Sequence, residues 1–172
     1  DAPMMSDTFA LSDDCVMCWS AIGDTQLFYV FDGARTRPIP APASWILGVH
    51  GCAADWIVAV GEHGYAARWD GAARHPWPTP VAGTLSTILV VSPDEMYATG
   101  PHGALLQGSR HGWVERAPSS GSVVSIARFR GELYLADLVE GLLRVQGPDL
   151  VPLELPVWPR RLHATPSTLT MS

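Results

Sequence analysis

The chain of 172 residues is 47% hydrophobic and 16% charged, a balance that excludes a disordered or strongly charged polypeptide. No apolar run approaches the roughly 18 residues that are needed to span a bilayer. A net charge of −6 disfavours nucleic-acid phosphates and favours basic partners or cations, so we expect neither nucleic acid nor membrane as a partner.

The charge is distributed unevenly along the chain. Residues 1–100 carry eleven acidic residues and four arginines, a balance of −7, whereas residues 101–172 carry six acidic residues and seven arginines, a balance of +1. Lysine and asparagine are both absent. Their absence indicates a GC-rich coding sequence, favours a bacterial origin, and excludes N-linked glycans.

The first 44 residues predict a short strand, a hairpin and an outer strand. Residues 1–11 carry a weak strand pattern. Two β-rich runs, 15–21 and 26–31, flank the turn residues 23–25, which is typical of a hairpin. The proline-rich stretch 35–44 predicts an outer edge strand, because proline lacks the N–H that an inner strand uses.

The rest of the chain repeats a pattern of four short strands, and no segment has a useful helical period. The predicted strands lie at 45–50, 55–60, 65–69 and 75–77 in the second copy, at 85–91, 95–99, 104–107 and 113–116 in the third, and at 123–129, 132–136, 142–145 and 150–155 in the fourth. We therefore expect an almost purely β protein.

Glycines mark the repeat. Gly64, Gly103 and Gly141 occupy the same place in successive copies, 39 and 38 residues apart. A period near 40 residues with short apolar runs is typical of propeller blades. We divide the chain into repeats at about 5–44, 45–84, 85–122 and 123–160, followed by a terminal strand at 161–172.

Two segments carry a resemblance to a known architecture. SPDEMYATGPHGALLQG and IVAVGEHGYAARWDG resemble blades of WD-repeat and related bacterial β-propellers, with a small-apolar run, a turn ending in glycine, and a strand closing the unit. Over residues 12–160 the resemblance implies an all-β propeller of four-stranded antiparallel blades, each of about 38–40 residues. The Gly-His pair of true WD repeats is missing, so the resemblance does not choose one propeller family.

The number of blades is open at this stage. The terminal strand either completes the first blade and closes a four-bladed ring, or begins a fifth unit of a longer propeller. An open array leaves apolar edges that need a complementary chain. We slightly favour the longer parent propeller.

Four polar residues predict a ring on one rim. His63, His102 and Glu140 each precede the aligned glycine, and Asp24 is a looser equivalent. In propellers the turns between second and third strands share one rim, so these side chains would surround one face. Such a ring suits a divalent metal or a cationic ligand. The alternative is that the four are solvent-facing residues that only stabilise the hairpin turns. We expect no metal or cofactor and regard the ring as a partner-binding rim.

The three cysteines do not predict a zinc or redox site. Cys15 and Cys18 form a C-x-x-C pair, but only Cys52 remains to complete a zinc site, and a redox pair needs a helix N-terminus. Side chains three apart in a strand point to opposite faces. We expect buried, reduced cysteines and a cytoplasmic location, with secreted or periplasmic export left open.

Tryptophans beside arginines give a second set of interface candidates. Trp19 and Trp69 lie within strands and are expected to pack between blades, as are Trp45 and Trp56. Trp77, Trp113 and Trp158 fall near outer strands or rim connections. Exposed tryptophan next to arginine is enriched at protein interfaces; the alternative is that these aromatics cover blade edges. The candidates are Arg110, Trp113, Arg116, Trp158, Arg160 and Arg161.

The sequence carries no recognisable catalytic motif: nucleophile elbow, Walker loop, dinucleotide fingerprint and H-E-x-x-H are all missing. We therefore predict a non-catalytic, protein-binding propeller. As a sharper hypothesis, it is a bacterial inhibitor or immunity-type protein whose acidic rim meets a basic partner. The alternatives are a propeller hydrolase or lyase with a metal or ligand at the rim, and a scaffold portion of a larger protein.

Overall fold

The computed structural model describes residues 4–12, 15–22, 25–116, 121–155 and 158–172. These residues form strands joined by short turns. No helix in this part of the chain is long and apolar enough to cross a membrane. The strands are β1 (Met4–Ser12), β2 (Cys15–Ile22), β3 (Thr25–Phe31), β4 (Thr36–Ile39), β5 (Ile46–Ala53), β6 (Trp56–Gly61), β7 (Ala66–Trp69), β8 (Arg74–Pro76), β9 (Thr87–Ser92), β10 (Glu95–Thr99), β11 (Leu105–Ser109), β12 (Gly112–Arg116), β13 (Val123–Phe129), β14 (Glu132–Asp137), β15 (Gly141–Gln146), β16 (Asp149–Leu153), β17 (Leu162–Ala164) and β18 (Leu169–Met171).

The strands form five antiparallel sheets in chain order. Sheets 1 to 4 hold four strands each, β1–β4, β5–β8, β9–β12 and β13–β16, and sheet 5 holds β17 and β18. Within each sheet, every strand pairs with the strands next to it in sequence, which is the local connectivity of propeller blades. The all-β prediction with four-stranded units is confirmed.

The prediction of a single terminal strand over residues 161–172 is wrong. The segment folds back on itself, and Leu162 pairs with Met171 across a hairpin. The turn is closed by three bonds between Thr165 and Thr168. The Thr165 N–H and hydroxyl donate to the Thr168 carbonyl at 2.8 and 3.3 Å, and the Thr168 N–H donates to Thr165 Oγ1 at 3.1 Å. Pro166 follows Thr165, and proline favours this place in a tight turn.

The core lies between the sheets. Because side chains alternate along a strand, each central strand supplies apolar residues to both neighbouring junctions. In sheet 2, for example, Ile57 packs towards sheet 1, and Val58 packs towards sheet 3. The fully buried side chains at these junctions include Ile46, Ile57, Val58, Val60, Leu85, Met96, Leu106, Val123, Leu135 and Leu143.

Among the described residues, a polar side chain also reaches from each of sheets 1 to 4 to the first strand of the next sheet. In every case a side chain of the earlier sheet bonds to the main chain of the first strand of the next sheet. We call these contacts the junction bonds. They are Gln26 with both main-chain groups of Ile46 (2.7 and 2.8 Å), the Val90 N–H to His50 Nδ1 (3.2 Å), Thr87 Oγ1 to the Val124 carbonyl (3.3 Å), and the Leu162 N–H to Ser125 Oγ (3.0 Å).

His50 connects the first strands of sheets 1, 2 and 3. It lies on β5, its ring is 4.8 Å from the Phe9 ring on β1, and its Nδ1 accepts the Val90 N–H of β9. Burial lowers the pKa of His50. The imidazole is therefore neutral in the folded protein at neutral pH, and its Nδ1 is free to act as an acceptor.

Two glycines allow the connections between sheets to pass close to the second strands. A Cβ on Gly61 would lie 2.0 Å from the Trp45 carbonyl oxygen, and a Cβ on Gly100 would lie 1.9 Å from that of Thr84. Any larger residue would force the backbone apart. These equivalent close approaches are the structural reason for the glycine before the turns of sheets 2 and 3.

Candidate partner-binding cleft

The predicted rim residues lie at equivalent turns. His63 and His102 sit in short 3₁₀ turns, Glu62–Gly64 and Pro101–Gly103, between the second and third strands of sheets 2 and 3. Glu140 lies in the corresponding turn of sheet 4, where its N–H donates to Asp137 Oδ1 at 3.0 Å. Asp24 is outside the described residues.

The glycine that directly follows each of these three polar residues has the same conformation. The φ angles of Gly64, Gly103 and Gly141 are 67°, 72° and 81°, in the left-handed region that favours glycine. His63 also has a positive φ, 57°, and is exposed. Among the described residues no three His, Cys, Asp or Glu side chains come close enough to hold a metal, and the partner-binding role of the ring stays a prediction.

The predicted interface residues fall into two main groups at separate places, and Arg116 lies apart from both, at a cleft between sheets 3 and 4. Trp158 is 62% exposed beside the outer part of sheet 4, and the main-chain N–H groups of Arg160 and Arg161 donate to the Ser172 carbonyl. At the other place, Trp113 differs from the exposed residue that the sequence predicted, because it is half-buried against the core between sheets 2 and 3. The two tryptophan–arginine groups therefore do not form one surface.

Trp113 lies against its own sheet because Gly108 faces it. The two residues are paired across β11 and β12, and a Cβ on Gly108 would lie 2.5 Å from the indole of Trp113. The missing side chain lets the ring pack over the strand towards sheet 2. There it meets Trp77, with ring centroids 5.5 Å apart.

Trp77 lies between two other indoles. Its ring centroid is 6.1 Å from that of Trp56 in an edge-to-face arrangement, a favourable geometry for aromatic pairs. The three tryptophans come from the start of β6, the residue after β8, and the outer strand β12. They cover the outer part of the junction between sheets 2 and 3.

An open cleft of about 260 Å³ lies in this outer part, and we call it the tryptophan cleft. The side chains that line it include three basic residues and no acidic one, although the chain as a whole is acidic. The lining residues are Trp56, Arg68, His75, Pro76, Trp77 and Arg110.

Two of the basic groups have acidic partners just outside the cleft. Arg110 binds both carboxylate oxygens of Asp94 at 2.6 and 2.7 Å, and this guanidinium lowers the pKa of Asp94. His75 Nε2 lies 2.6 Å from Asp70 Oδ2. The N–H groups of Ala73 and Ala72, followed by His75, hold the pKa of Asp70 well below its usual range. Both carboxylates are therefore ionised and fix the basic side chains in place.

Arg68 differs from these two groups. Its guanidinium carbon lies 4.3 Å from the ring centroid of Trp56, a cation–π contact. Within the described ranges no carboxylate pairs with it. The tryptophan cleft thus holds one positive charge that is stacked on an indole and not neutralised by an ion pair.

The indole N–H groups are also incompletely satisfied. In the part of the chain that the structure describes, Nε1 of Trp56 and Nε1 of Trp113 are buried without an acceptor. A buried donor without a partner costs about 1–3 kcal/mol and is uncommon in native proteins. The two indoles beside the cleft therefore keep donors that no acceptor among the described residues satisfies.

Of the interface candidates from the sequence, Arg110 lines this cleft and Trp113 lies beside it against Trp77, whereas Trp77 and Arg68 were not among the candidates. Trp56 was assigned to packing between blades, which is only part of its role. The available signal was alternation: Trp56 shares a strand face with the core residues Val58 and Val60, so it had to point towards sheet 3.

Comparison with known proteins supports the fold. The chain is similar to the solved structure "YCF48 bound to D1 peptide", with a TM-score of 0.67 and 15% sequence identity. The similarity covers 95% of this chain and 58% of that one, so this chain spans less than two thirds of its neighbour's length. No protein-family profile and no curated protein matches the sequence. The likeness confirms a β-propeller fold without assigning the blades to the WD repeats.

Proposed function

We propose that this chain is a non-catalytic propeller that binds another protein, and that the tryptophan cleft receives a segment of that partner. The observation that carries the proposal is the open cleft of about 260 Å³, in which tryptophan and arginine side chains lie between two packed sheets. Tryptophan and arginine are the residues most enriched at the energetic centres of protein interfaces. A rigid cleft loses little conformational entropy on binding.

The chemistry of the cleft favours a particular partner segment. The ring of Trp77 offers an apolar surface for a partner side chain, and Arg68 offers a positive charge that can form a charge-assisted hydrogen bond with a carboxylate. We therefore expect an extended segment with an apolar side chain close to an acidic residue. The earlier hypothesis of a basic partner at the acidic rim, and the enzyme alternative, stay predictions.

The similar fold supports peptide binding in general terms. In the similar structure, YCF48 is bound to D1 peptide. A propeller of this shape is therefore able to present a peptide-binding surface, which is the role we propose for the cleft of this chain.

A peptide selection tests the proposal. Random twelve-residue peptides displayed on phage are selected on the wild-type protein and then counter-selected on Trp77→Ala. We expect enrichment of peptides with an acidic residue near an apolar one. Their affinity should fall at least about tenfold, or 1.4 kcal/mol, in Trp77→Ala and in Arg68→Gln.

Trp158→Ala is the matched control, because this tryptophan is exposed far from the cleft. Circular dichroism and thermal unfolding confirm that each variant is folded. The proposal is wrong if no peptide is enriched, or if the enriched peptides bind Trp77→Ala as tightly as the wild-type protein.

A second candidate role, as part of a larger propeller assembly, rests on sheet 5. Within the described residues this sheet has two strands where the others have four. It covers the inner part of sheet 4 through Leu162, whereas a cleft of about 180 Å³ lined by Leu153, Leu155 and Trp158 stays open farther out. Two more strands would cover this region.

Light scattering on the purified chain separates the two roles. A monomer that binds the selected peptides supports the independent binding module. A stable complex with further propeller strands, weakened by a charged substitution such as Leu155→Asp and unaffected by Trp77→Ala, supports the assembly role.

A further inference from the structure

A second cleft lies between the outer parts of sheets 3 and 4 and has a different chemistry. Its volume is also about 260 Å³. The sheet 3 wall carries Glu95, Tyr97, Gln107 and Arg116, and the sheet 4 wall carries the apolar residues Leu133, Val145 and Leu150 together with the charged residues Arg128 and Glu132. The Glu132 carboxylate has partners on its own sheet: it accepts from the Tyr134 hydroxyl at 2.8 Å and lies 3.5 Å from Arg144 Nη1.

Glu95 neutralises the arginine of sheet 4. Arg128 Nε donates to Glu95 Oε1 at 3.0 Å, and the Tyr97 hydroxyl donates to the same oxygen at 3.3 Å. Burial, followed by the nearby Glu95 charge, raises the pKa of Tyr97, so the phenol keeps its proton at neutral pH. This side of the cleft is therefore a satisfied network without excess charge.

Arg116 is not neutralised in this way. Its Nε donates to Gln107 Oε1 at 2.8 Å, and its Nη2 donates to the same oxygen. Throughout the described ranges no carboxylate forms an ion pair with it. Because a guanidinium carries five N–H donors and stays charged, Arg116 keeps both its positive charge and unused donors at the cleft.

The opposite wall offers apolar surface. Leu133 is buried beneath it, and Val145 and Leu150 are half-buried at its face. A ligand that reaches Arg116 with a charged group would place the rest of its body against these side chains. A purely ionic ligand would leave this surface in water, and a purely apolar ligand would leave the guanidinium without an anion.

We propose that this cleft binds the carboxylate of an apolar organic acid, with the carboxylate on Arg116 and the apolar group against Val145 and Leu150. The same chemistry is offered by a small free acid and by the C-terminus of a peptide that ends in an apolar residue. Arginine and carboxylate form paired, charge-assisted hydrogen bonds. The site is separate from the tryptophan cleft, and it does not depend on the function proposed there.

Two probes distinguish the sources. N-acetyl-leucine represents the small acid, and N-acetyl-Gly-Gly-Leu with a free carboxyl group represents the peptide end. Binding to the full chain is followed by NMR chemical-shift changes at millimolar ligand. Binding of both supports the shared chemistry, and binding of only one identifies the source. For each probe that binds, the matching C-terminal amide should bind at least about tenfold more weakly.

Variants locate the binding. Arg116→Gln, at an exposed side chain, should weaken the acid at least about tenfold with an unchanged thermal midpoint, and Arg116→Lys should retain part of the affinity. Arg110→Gln and Trp77→Ala, both at the other cleft, should have no effect. The proposal is overturned if acid and amide bind alike, if Arg116→Gln binds the acid as well as wild type, or if neither acid binds.

Discussion

The junction between sheets 1 and 2 and the junction between sheets 2 and 3 share the strands of sheet 2 but are packed differently. The first is filled by side chains such as Met17, Phe28 and Ile57 and keeps an apolar cavity of only about 40 Å³. Its outer part is covered by the connection after β4, where Arg74 Nη1 donates to the Pro40 carbonyl at 2.9 Å. The second junction opens instead into the tryptophan cleft of about 260 Å³.

The difference originates in alternation along a single strand. On β7, Trp69 points into the filled junction with sheet 1, and its neighbour Arg68 points into the open junction with sheet 3. One sheet therefore contributes core to one side and a candidate binding site to the other. In this fold the outer residues of each face decide whether a junction is filled or open.

The largest expected loss of stability tests whether the two junctions are equally well packed at their fully buried positions. Ile57→Ala in the first and Leu106→Ala in the second should each lower the free energy of unfolding by about 2–5 kcal/mol, because both side chains are fully buried. Urea denaturation followed by circular dichroism measures the change. A loss below about 1 kcal/mol for Leu106→Ala alone would show that the second junction is loose throughout its depth.

A smaller effect is expected from filling the space under Trp113. In Gly108→Ala the new methyl group would meet the indole at 2.5 Å and push it into the tryptophan cleft. We expect a loss of about 1–3 kcal/mol, as for other overpacked sites, with a shift in tryptophan fluorescence. Gly83→Ala is the control, because its Cβ would meet nothing within 4 Å; equal effects of the two variants would contradict the proposed contact.

Lowering the pH should reduce the stability of the protein through His50, by less than any of the preceding substitutions. The folded protein keeps this imidazole neutral, and burial lowers its pKa below the unfolded value near 6.5. Its contribution to stability is therefore present above about pH 6.5 and is lost as the pH falls towards the lowered folded pKa. The urea midpoint should fall less between about pH 7.5 and about pH 5.5 in His50→Gln than in the wild-type protein, and identical slopes would exclude His50 as the cause.

The smallest loss of stability is expected where the connection after β4 covers the junction between sheets 1 and 2. Arg74→Gln removes the bond to the Pro40 carbonyl and should cost about 0.5–1.5 kcal/mol, the usual net value of one hydrogen bond. Binding of a hydrophobic dye reports whether the cavity beneath becomes accessible. If dye binding rises sharply, the cover rather than the packing keeps this junction closed.

The sequence predicted the strands and the repeat because their signals are local. Turn glycines such as Gly64 and Gly103, together with short apolar runs, suffice to position them. The tryptophan cleft depends on the register between sheets, which brings Trp56 next to Trp77 and Trp77 next to Trp113 across 57 residues of sequence. The hairpin of sheet 5 was missed because its three-residue strands are too short to show a period.

The junction bonds have a consequence for how such a chain tolerates sequence divergence. Each bond requires one particular side chain, such as Gln26 or Ser125, but its partner is a main-chain group that every residue except proline can supply in full. The side-chain requirement therefore falls on the earlier sheet of each pair alone. Paired substitutions across a junction are not needed to preserve its bond. The sequences of successive blades can therefore diverge while the arrangement of the sheets stays the same.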